Sequence, residues 1–393
     1  MTATVPTFDI DFFRPEILAE QHAHYATLRE LGSVVWMPAH EIYAIPRYDE
    51  VREVLGDPDT FISGEGVGFN PVINEVTKGT TLASDGALHE RRRTVVGAEL
   101  RPKALTGRRE GIVQIANDLV DDVLARPDVD GVRDLALAMP MGVVPDFLGL
   151  PQHDRENLMR WADAASDGGG PAGPDTERAL GVVGEAIPYV IGLVENRELT
   201  PGSLGAGILE AADRGEIEMD ECPFFLLDYI GPGLDTTATA IGHFLALFAQ
   251  HPDQWTALRD EPGMVTSAIN ETLRFEGPFR GFTRVVARDA EIDGTVVPAG
   301  SRVWPLNASA NRDDRKWGNG SEFDFRRNPI DHLAFGYGLH GCAGQGLARM
   351  EMHALVHALL NRVTRIELTG EPVYRVSSTM NQLASLPLAL ITD

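Results

Sequence analysis

Two short stretches of this 393-residue chain carry residue types able to do chemistry. The first is HLAFGYGLHGCAGQGLARME, His332–Glu351, where Gly336, Gly338, Gly341 and Gly344 surround Cys342. The pattern predicts a tight loop leading into a helix from near Ala343, with Leu347, Met350 and Leu355 on its apolar face. Amide donors and the helix dipole at such a start stabilise a thiolate. Glycines leave room for a flat ligand to approach the backbone. A thiolate serves as a nucleophile or as a metal ligand. His340, two residues away, is the base a nucleophile would want. Zinc would want further Cys or His ligands, and the second cysteine, Cys222, is distant in sequence. A buried cysteine in a glycine-rich turn is the reading without chemistry.

The second stretch is YIGPGLDTTATAIGHF, Tyr229–Phe244. It reads as one long buried helix interrupted by Gly231, Pro232 and Gly233, then followed by Asp235, Thr236 and Thr237. A proline inside a helix costs about 3 kcal/mol and removes the bond to the carbonyl four residues back, here Asp228. The expectation is a helix bent one turn before Asp235. An acid beside an alcohol suits proton transfer through a relay, in which position matters more than a tuned pKa. An Asp-Thr pair serving as a local cap is the alternative.

The elements that must hold these stretches follow from periodicity. VVWM (34–37) and EIYAI (41–45) read as strands of a hairpin, followed by a helix with Val51, Val54 and Leu55 on one face, stopping at Gly56. Residues 62–82 read as an irregular loop, and residues from about 83 to 275 as mostly helical. SDGGGPAGPDT, Ser166–Thr176, reads as a flexible connection between helices. Strands and loops return in the last third, before a final helix after Cys342. The fold class is mainly α with small β-sheets, as one interwoven α+β domain over residues 1–393.

Composition narrows the partners. Hydrophobic residues make up 43%, enough for a sizeable core, and the net charge is −24. That balance argues against nucleic acid, which needs basic clusters. The first residues show neither a basic n-region nor an apolar run, and no stretch approaches the ~20 apolar residues of a membrane span. The expectation is a cytoplasmic protein without membrane partners. Two cysteines exclude a disulfide framework.

Phe335-Gly336-x-Gly338-x-His340-x-Cys342-x-Gly344 resembles, at every fixed position, the heme-ligand signature of the cytochrome P-450 superfamily. Three further segments resemble the same family in the right order. Glu271-x-x-Arg274, with Arg327 in FDFRR, resembles the structural pair and its later arginine. His89-x-x-x-Arg93, with Arg284 and His340, resembles the contacts to heme propionates. Gly233-Leu234-Asp235-Thr236-Thr237 resembles the oxygen-binding groove. The resemblance covers nearly the whole chain. It implies the P450 fold, heme b held by Cys342, and monooxygenation of a substrate with O2, Asp235 and Thr236 serving proton delivery. A thiolate pushes electron density to iron and favours O–O cleavage. Relatives often have Asp-Pro-Pro where this chain has Asp85-Gly86-Ala87, which implies a looser turn before His89. They usually have Ala or Gly where Pro232 stands.

The resemblance places Phe69, Gly231, Pro232, Phe279 and Phe282 at a substrate pocket, which suits a small aromatic substrate. The GVGF and FEGP segments resemble bacterial members that oxidise para-substituted benzoates. Where those have a basic residue this chain has Glu65, and Asp228 lies on the helix entering the pocket. Two acids repel a benzoate, and the small residues of SDGGGPAG replace bulky aromatics. The expectation is O-demethylation of a neutral, somewhat wider methoxyphenol of guaiacol or syringol type, releasing formaldehyde. Hydroxylation of a benzoate, terpenoid or polyketide is the alternative. Peroxide use, gas sensing and Cys-His hydrolysis are readings of other classes. Electrons are expected from a separate ferredoxin and its reductase, since no flavin or iron–sulfur domain follows the heme segment. Arg91, Arg92 and Arg349 are the expected docking patch.

Overall fold

The computed structural model describes residues 5–392. The expected hairpin is present as β1 (Val35–Met37) and β2 (Ile42–Ile45), antiparallel, with Val35 opposite Ala44. It forms one edge of a five-stranded sheet with β3 (Phe61–Ile62), β4 (Arg284–Val286) and β5 (Arg302–Pro305), in the order β1-β2-β5-β4-β3. Only β2 and β5 run parallel. The sheet thereby joins residues 35–45 to the segment carrying Arg284.

The helices that position the site are α1 (Pro71–Val76), α2 (Gly86–Ala98), α3 (Pro102–Thr106), α4 (Arg109–Leu124), α5 (Leu158–Asp167), α6 (Pro174–Glu195), α7 (Cys222–Gln250), α8 (Val265–Phe275) and α9 (Gln345–Leu360). A late hairpin, β6 (Val373–Arg375) and β7 (Gln382–Ser385), follows α9. The helix after Cys342 thus starts two residues later than its apolar pattern suggests.

Helix α7 is apolar on most sides, burying Leu226, Ile230, Leu234, Ile241, Phe244 and Phe248, so it crosses the core. Its 29 residues span about 43 Å. The expected interruption is absent: the helix runs unbroken through Gly231-Pro232-Gly233. Pro232 sits on an exposed side of the helix. Packing does not demand these glycines, because a β-carbon on Gly233 would lie 3.4 Å from Val144 and one on Gly231 3.9 Å from Ala165 of α5, both ordinary contacts.

Three other expectations need correction. Residues 62–82 are not wholly irregular, because Asn70 caps α1 by accepting from the Ile73 amide at 2.9 Å and Pro71 follows it. The glycine run after Ser166 is not free. Asn70 Nδ2 donates to Gly168 O at 3.1 Å and to Gly170 O at 2.7 Å, and the Phe69 amide to Gly169 O at 2.9 Å. The turn before His89 is not loose. Asp85 accepts from the amides of Ser63 at 2.8 Å and Gly64 at 2.6 Å, and Gly86 takes φ +53°, which a proline cannot adopt.

The first and last parts of the chain are stitched together. Gln21 Nε2 donates to Asn381 Oδ1 at 2.8 Å, while Arg280 donates to Gln21 Oε1 at 2.9 Å and to Ser377 O at 2.9 Å.

Behind the cysteine loop, Arg274 grips Glu271 through Nε at 2.7 Å and Nη2 at 2.8 Å, and Arg327 Nε adds a third bond at 3.2 Å. Neither member of the Glu271–Arg274 pair has any exposed side-chain surface. Arg274 also bonds the carbonyls of Asn311, Gly320 and Glu322. A buried pair of this kind is costly to break from one side, by about 3–5 kcal/mol. Arg274→Met should therefore lower denaturant stability by about that amount, while Arg326→Met, whose pair with Glu261 is exposed, should cost under about 1 kcal/mol. Equal losses would show that the buried network is not a structural keystone.

Candidate active site

The cysteine loop is a device built from glycine. Gly336 and Gly338 both take φ +70°, and a β-carbon on Gly338 would lie 2.5 Å from the Leu55 carbonyl oxygen. The Cys342 amide donates to Phe335 O at 2.8 Å, closing the loop. Burial pushes the Cys342 thiol up, against the opposing pull of the Gly344 and Gln345 amides and the charges of Arg93 and Arg349. His340 makes no hydrogen bond to Cys342; its ring lies 4.2 Å from that of His89. That separates it from the base of a nucleophilic pair. No group of three or more His, Cys, Asp or Glu side chains converges as a metal cage among the described residues, which disposes of the zinc reading.

Around the loop, four basic side chains from three elements gather: His89 and Arg93 from α2, Arg284 from β4, and His340. His89 is 1% exposed, and neither of its ring nitrogens has a hydrogen-bond partner; His340 Nε2 also lacks one, with Asp85 Oδ1 4.0 Å away. Arg284 is 4% exposed and donates to the Thr283 carbonyl at 2.8 Å. Burial brings it down to about 10. Burial and the neighbouring Arg284 hold His340 down to about 3. Arg93 reaches the Gly341 carbonyl of the cysteine loop. Buried donors without acceptors ask for carboxylate oxygens.

On α7, Asp235 is 1% exposed, and burial pushes its carboxyl up to about 7. Ser166 donates to its Oδ2, and Oδ1 has no partner. The Thr236 hydroxyl donates to Pro232 O at 2.7 Å on the accessible side of the helix. Asp228 and Pro232 precede Thr236 at intervals of four and share its face. Thr81 donates to Asp228 Oδ2 from its amide at 3.1 Å and from its hydroxyl at 2.6 Å. Burial pushes Asp228 up to about 6.

The other pocket assignments divide. Phe279 and Phe282 are half-buried and lie together, centroids 4.1 Å apart. The Phe69 ring is half-buried and packs edge-on to Phe13 at 4.8 Å and Trp304 at 4.9 Å. Gly231 faces α5. Glu65 is exposed, which leaves Asp228 alone as the acid on the pocket side. The glycines at 168–170 do not widen a pocket, because a β-carbon on Gly169 would meet Thr379 at 3.2 Å and one on Gly170 would meet Ser378 at 2.8 Å. Arg91 and Arg92 are taken up by Glu221, and Arg349 by Asn270 and the Phe335 ring. Ser166 and Thr81 carried no signal in the sequence. They reach their acids across 69 and 147 residues.

The sequence model of the family described as Cytochrome P450 matches residues 204–373. "Cytochrome p450 CYP199A2" of Rhodopseudomonas palustris is 35% identical over 99% of this chain and 95% of its own. This chain belongs to the cytochrome P450 family. "Cytochrome P450 monooxygenase PikC" of Streptomyces venezuelae is 31% identical, over 98% of this chain and 95% of its own. The crystal structure of CalO2 superposes with a TM-score of 0.86 at 29% identity, over 98% of this chain and 99% of its own. The P450 is thus a heme b monooxygenase with the helix-rich fold expected. Its residues fit the cofactor: a sulfur near amides and two arginines, and a cluster of basic side chains whose unpartnered histidine nitrogens suit carboxylates. No described helix is long and apolar enough to cross a membrane.

Asp235 offers a pH test. Its folded value, about 7, lies above the ordinary 3.8. The protonated carboxyl favours the folded state at low pH, and that contribution is lost as pH rises from about 4 through about 7. Asp235→Asn cannot ionise, so its melting temperature should gain on the unaltered protein across that window. Parallel melting profiles would show that the carboxyl stays ionised.

Proposed function

We propose that Cys342 is the thiolate ligand of the heme iron, that His89, Arg93, Arg284 and His340 hold the propionates, and that the substrate is a methoxyphenol. Heme bound through such a sulfur supplies activation of dioxygen and insertion of one of its atoms. The protein's own residues bind, orient and supply protons. Thr236 keeps its hydroxyl hydrogen on Pro232 O, which leaves the oxygen's lone pairs open to accept a proton donor. Asp235, poised near neutrality, is the acid beside it. The paired rings of Phe279 and Phe282 offer an aromatic wall.

Asp228 carries the choice of substrate. It lies on the same helix face as Thr236, anchored by Thr81 through one oxygen. A carboxyl there disfavours a benzoate anion and accepts a hydrogen bond from a phenol. The filled glycine run removes the argument for a wider ring, so a guaiacol-type substrate is favoured over a syringol type. Hydroxylation of the methoxy carbon gives a hemiacetal, whose C–O bond breaks to release formaldehyde and the diphenol. The second oxygen atom leaves as water, with two electrons and two protons consumed. Spectral titration should show guaiacol binding far more tightly than 4-methoxybenzoate, and Asp228→Ser should narrow or reverse that order. Tight benzoate binding by the unaltered protein would sink the proposal.

Electrons would come from a ferredoxin and its reductase. The docking surface is better sought at Arg101, Lys103, Arg108 and Arg109, on α3 and the start of α4. All four are exposed and free of ion pairs among the described residues. They border the cysteine side, since a β-carbon on Gly346 would lie 3.1 Å from Leu105. In a chain of net charge −24, four unpaired cations steer an acidic partner. Lys103→Glu with Arg109→Glu should slow reduction by an acidic ferredoxin several-fold at low salt, with the difference shrinking as salt rises. Arg91→Glu should do less, and an equal effect would return the patch to α2.

A further inference from the structure

Asp235 stands beside polar side chains of α5 and β6 that the acid–alcohol pair leaves unexplained. Ser166, in the last turn of α5, donates its hydroxyl hydrogen to Asp235 Oδ2, while Oδ1 is unpartnered. One turn earlier on α5, Asp163 accepts from Gln382 Nε2 at 3.1 Å and lies 3.5 Å from Arg375 Nη1. Arg375, on β6, also pairs with Asp167 and donates to Gln382 Oε1 at 2.7 Å. The side chains of Arg375, Asp163 and Asp167 are 28%, 29% and 22% exposed, so water reaches them. The charges of Asp163 and Arg375 are both felt at Asp235.

The chemistry of position 166 is specific. A lysine or arginine there would lock Asp235 as a carboxylate. A serine hydroxyl donates and accepts, so it supports either protonation state and can pass a proton between them.

The end of α5 is itself held from two sides. Thr379 Oγ1 donates to Ser166 O at 2.7 Å. Asn70 Nδ2 then clamps the carbonyls of Gly168 and Gly170, just beyond. Gly169 and Gly170 are packed too closely against Thr379 and Ser378 to carry side chains without displacing them. The position of Ser166 therefore depends on the seating of the loop at 168–173.

We propose that Ser166 is a positioning residue that conducts protons to Asp235, that the Arg375–Asp163–Asp167 cluster is its water-fed port, and that the clamp of Asn70 on the glycine run assembles the route. Asp235 releases a proton from Oδ1 toward the Thr236 hydroxyl. Ser166 passes its hydroxyl proton to Oδ2 and takes another from a water held at the cluster, which is replenished from bulk. Only O–H bonds change, one proton moves inward, and no electron is transferred. Proton supply is complete only with the loop seated over the pocket.

Ser166→Ala tests the relay. Coupling of reducing equivalents to product should fall several-fold, peroxide release should rise, and the solvent deuterium isotope effect should grow. Ser166→Thr should restore all three, and the substrate-induced spectral shift should stay intact. The infrared carboxyl band of Asp235 in the resting protein, assigned with Asp235→Asn, should shift in Ser166→Ala before any turnover. An unmoved band together with unchanged coupling would overturn the relay. Asn70→Asp keeps the oxygen that caps α1 and removes both donors to the glycine run. It should reproduce the Ser166→Ala band shift and uncoupling. A variant that only releases substrate faster, with band and coupling unchanged, would overturn the assembly by the loop.

Discussion

Burial of one carboxyl inside one unbroken helix is the constraint on which the rest of the site depends. Asp235 sits within α7 with almost no exposed surface, and its neutral form is favoured because little surrounds it to solvate a charge. Helix α7 can place it there because the helix is apolar on most sides and α5 brings the Ser166 hydroxyl to the carboxyl. Gly231 and Gly233 looked at first like damage to a helix, yet the helix continues through them. Pro232, on the exposed side, forgoes one backbone bond without interrupting the chain's course, and its carbonyl receives the Thr236 hydroxyl.

The opposite side of the site is governed by the same physics with the charge reversed. His89, Arg93, Arg284 and His340 are drawn from elements far apart in sequence and left short of acceptors. Carboxylates brought by a cofactor satisfy them better than the protein does. The Glu271–Arg274–Arg327 network shows what a self-sufficient buried ion group looks like by comparison: every strong donor there has its acceptor.

Motifs with fixed local spacing were legible in the sequence, as were elements with a strong period. The glycine-bracketed Cys342, the Glu271-x-x-Arg274 turn and the Val35–Ala44 hairpin all depend on neighbours within a few residues. What could not be read was set by distant contacts. The Ser166 hydroxyl lies 69 residues from the acid it serves, and Thr81 lies 147 from Asp228. The glycines at 168–170 suggested freedom, yet they are small because three segments crowd them. Glu65 was placed by resemblance of position, but it is exposed to solvent, and the packing of Phe69 on Trp304 carries no mark in the sequence. Arg91, Arg92 and Arg349 looked like a cationic surface because the sequence does not show Glu221 and Asn270 folding over them.

The stitching of Gln21 and Arg280 to residues 377–381 has a consequence for biogenesis. These bonds, and the ion cluster on Arg375, join positions up to 360 residues apart. Contacts of such long sequence separation form late, because the intervening chain must be ordered before they are rewarded. On the ribosome, Gln21 and the Ser166 carbonyl must wait for residues 377–381 to emerge before these bonds can form, although Asn70 can already hold the glycine run beyond α5. The contacts that residues 375–382 make with Gln21, Arg280 and α5 are therefore among the last in the molecule to form.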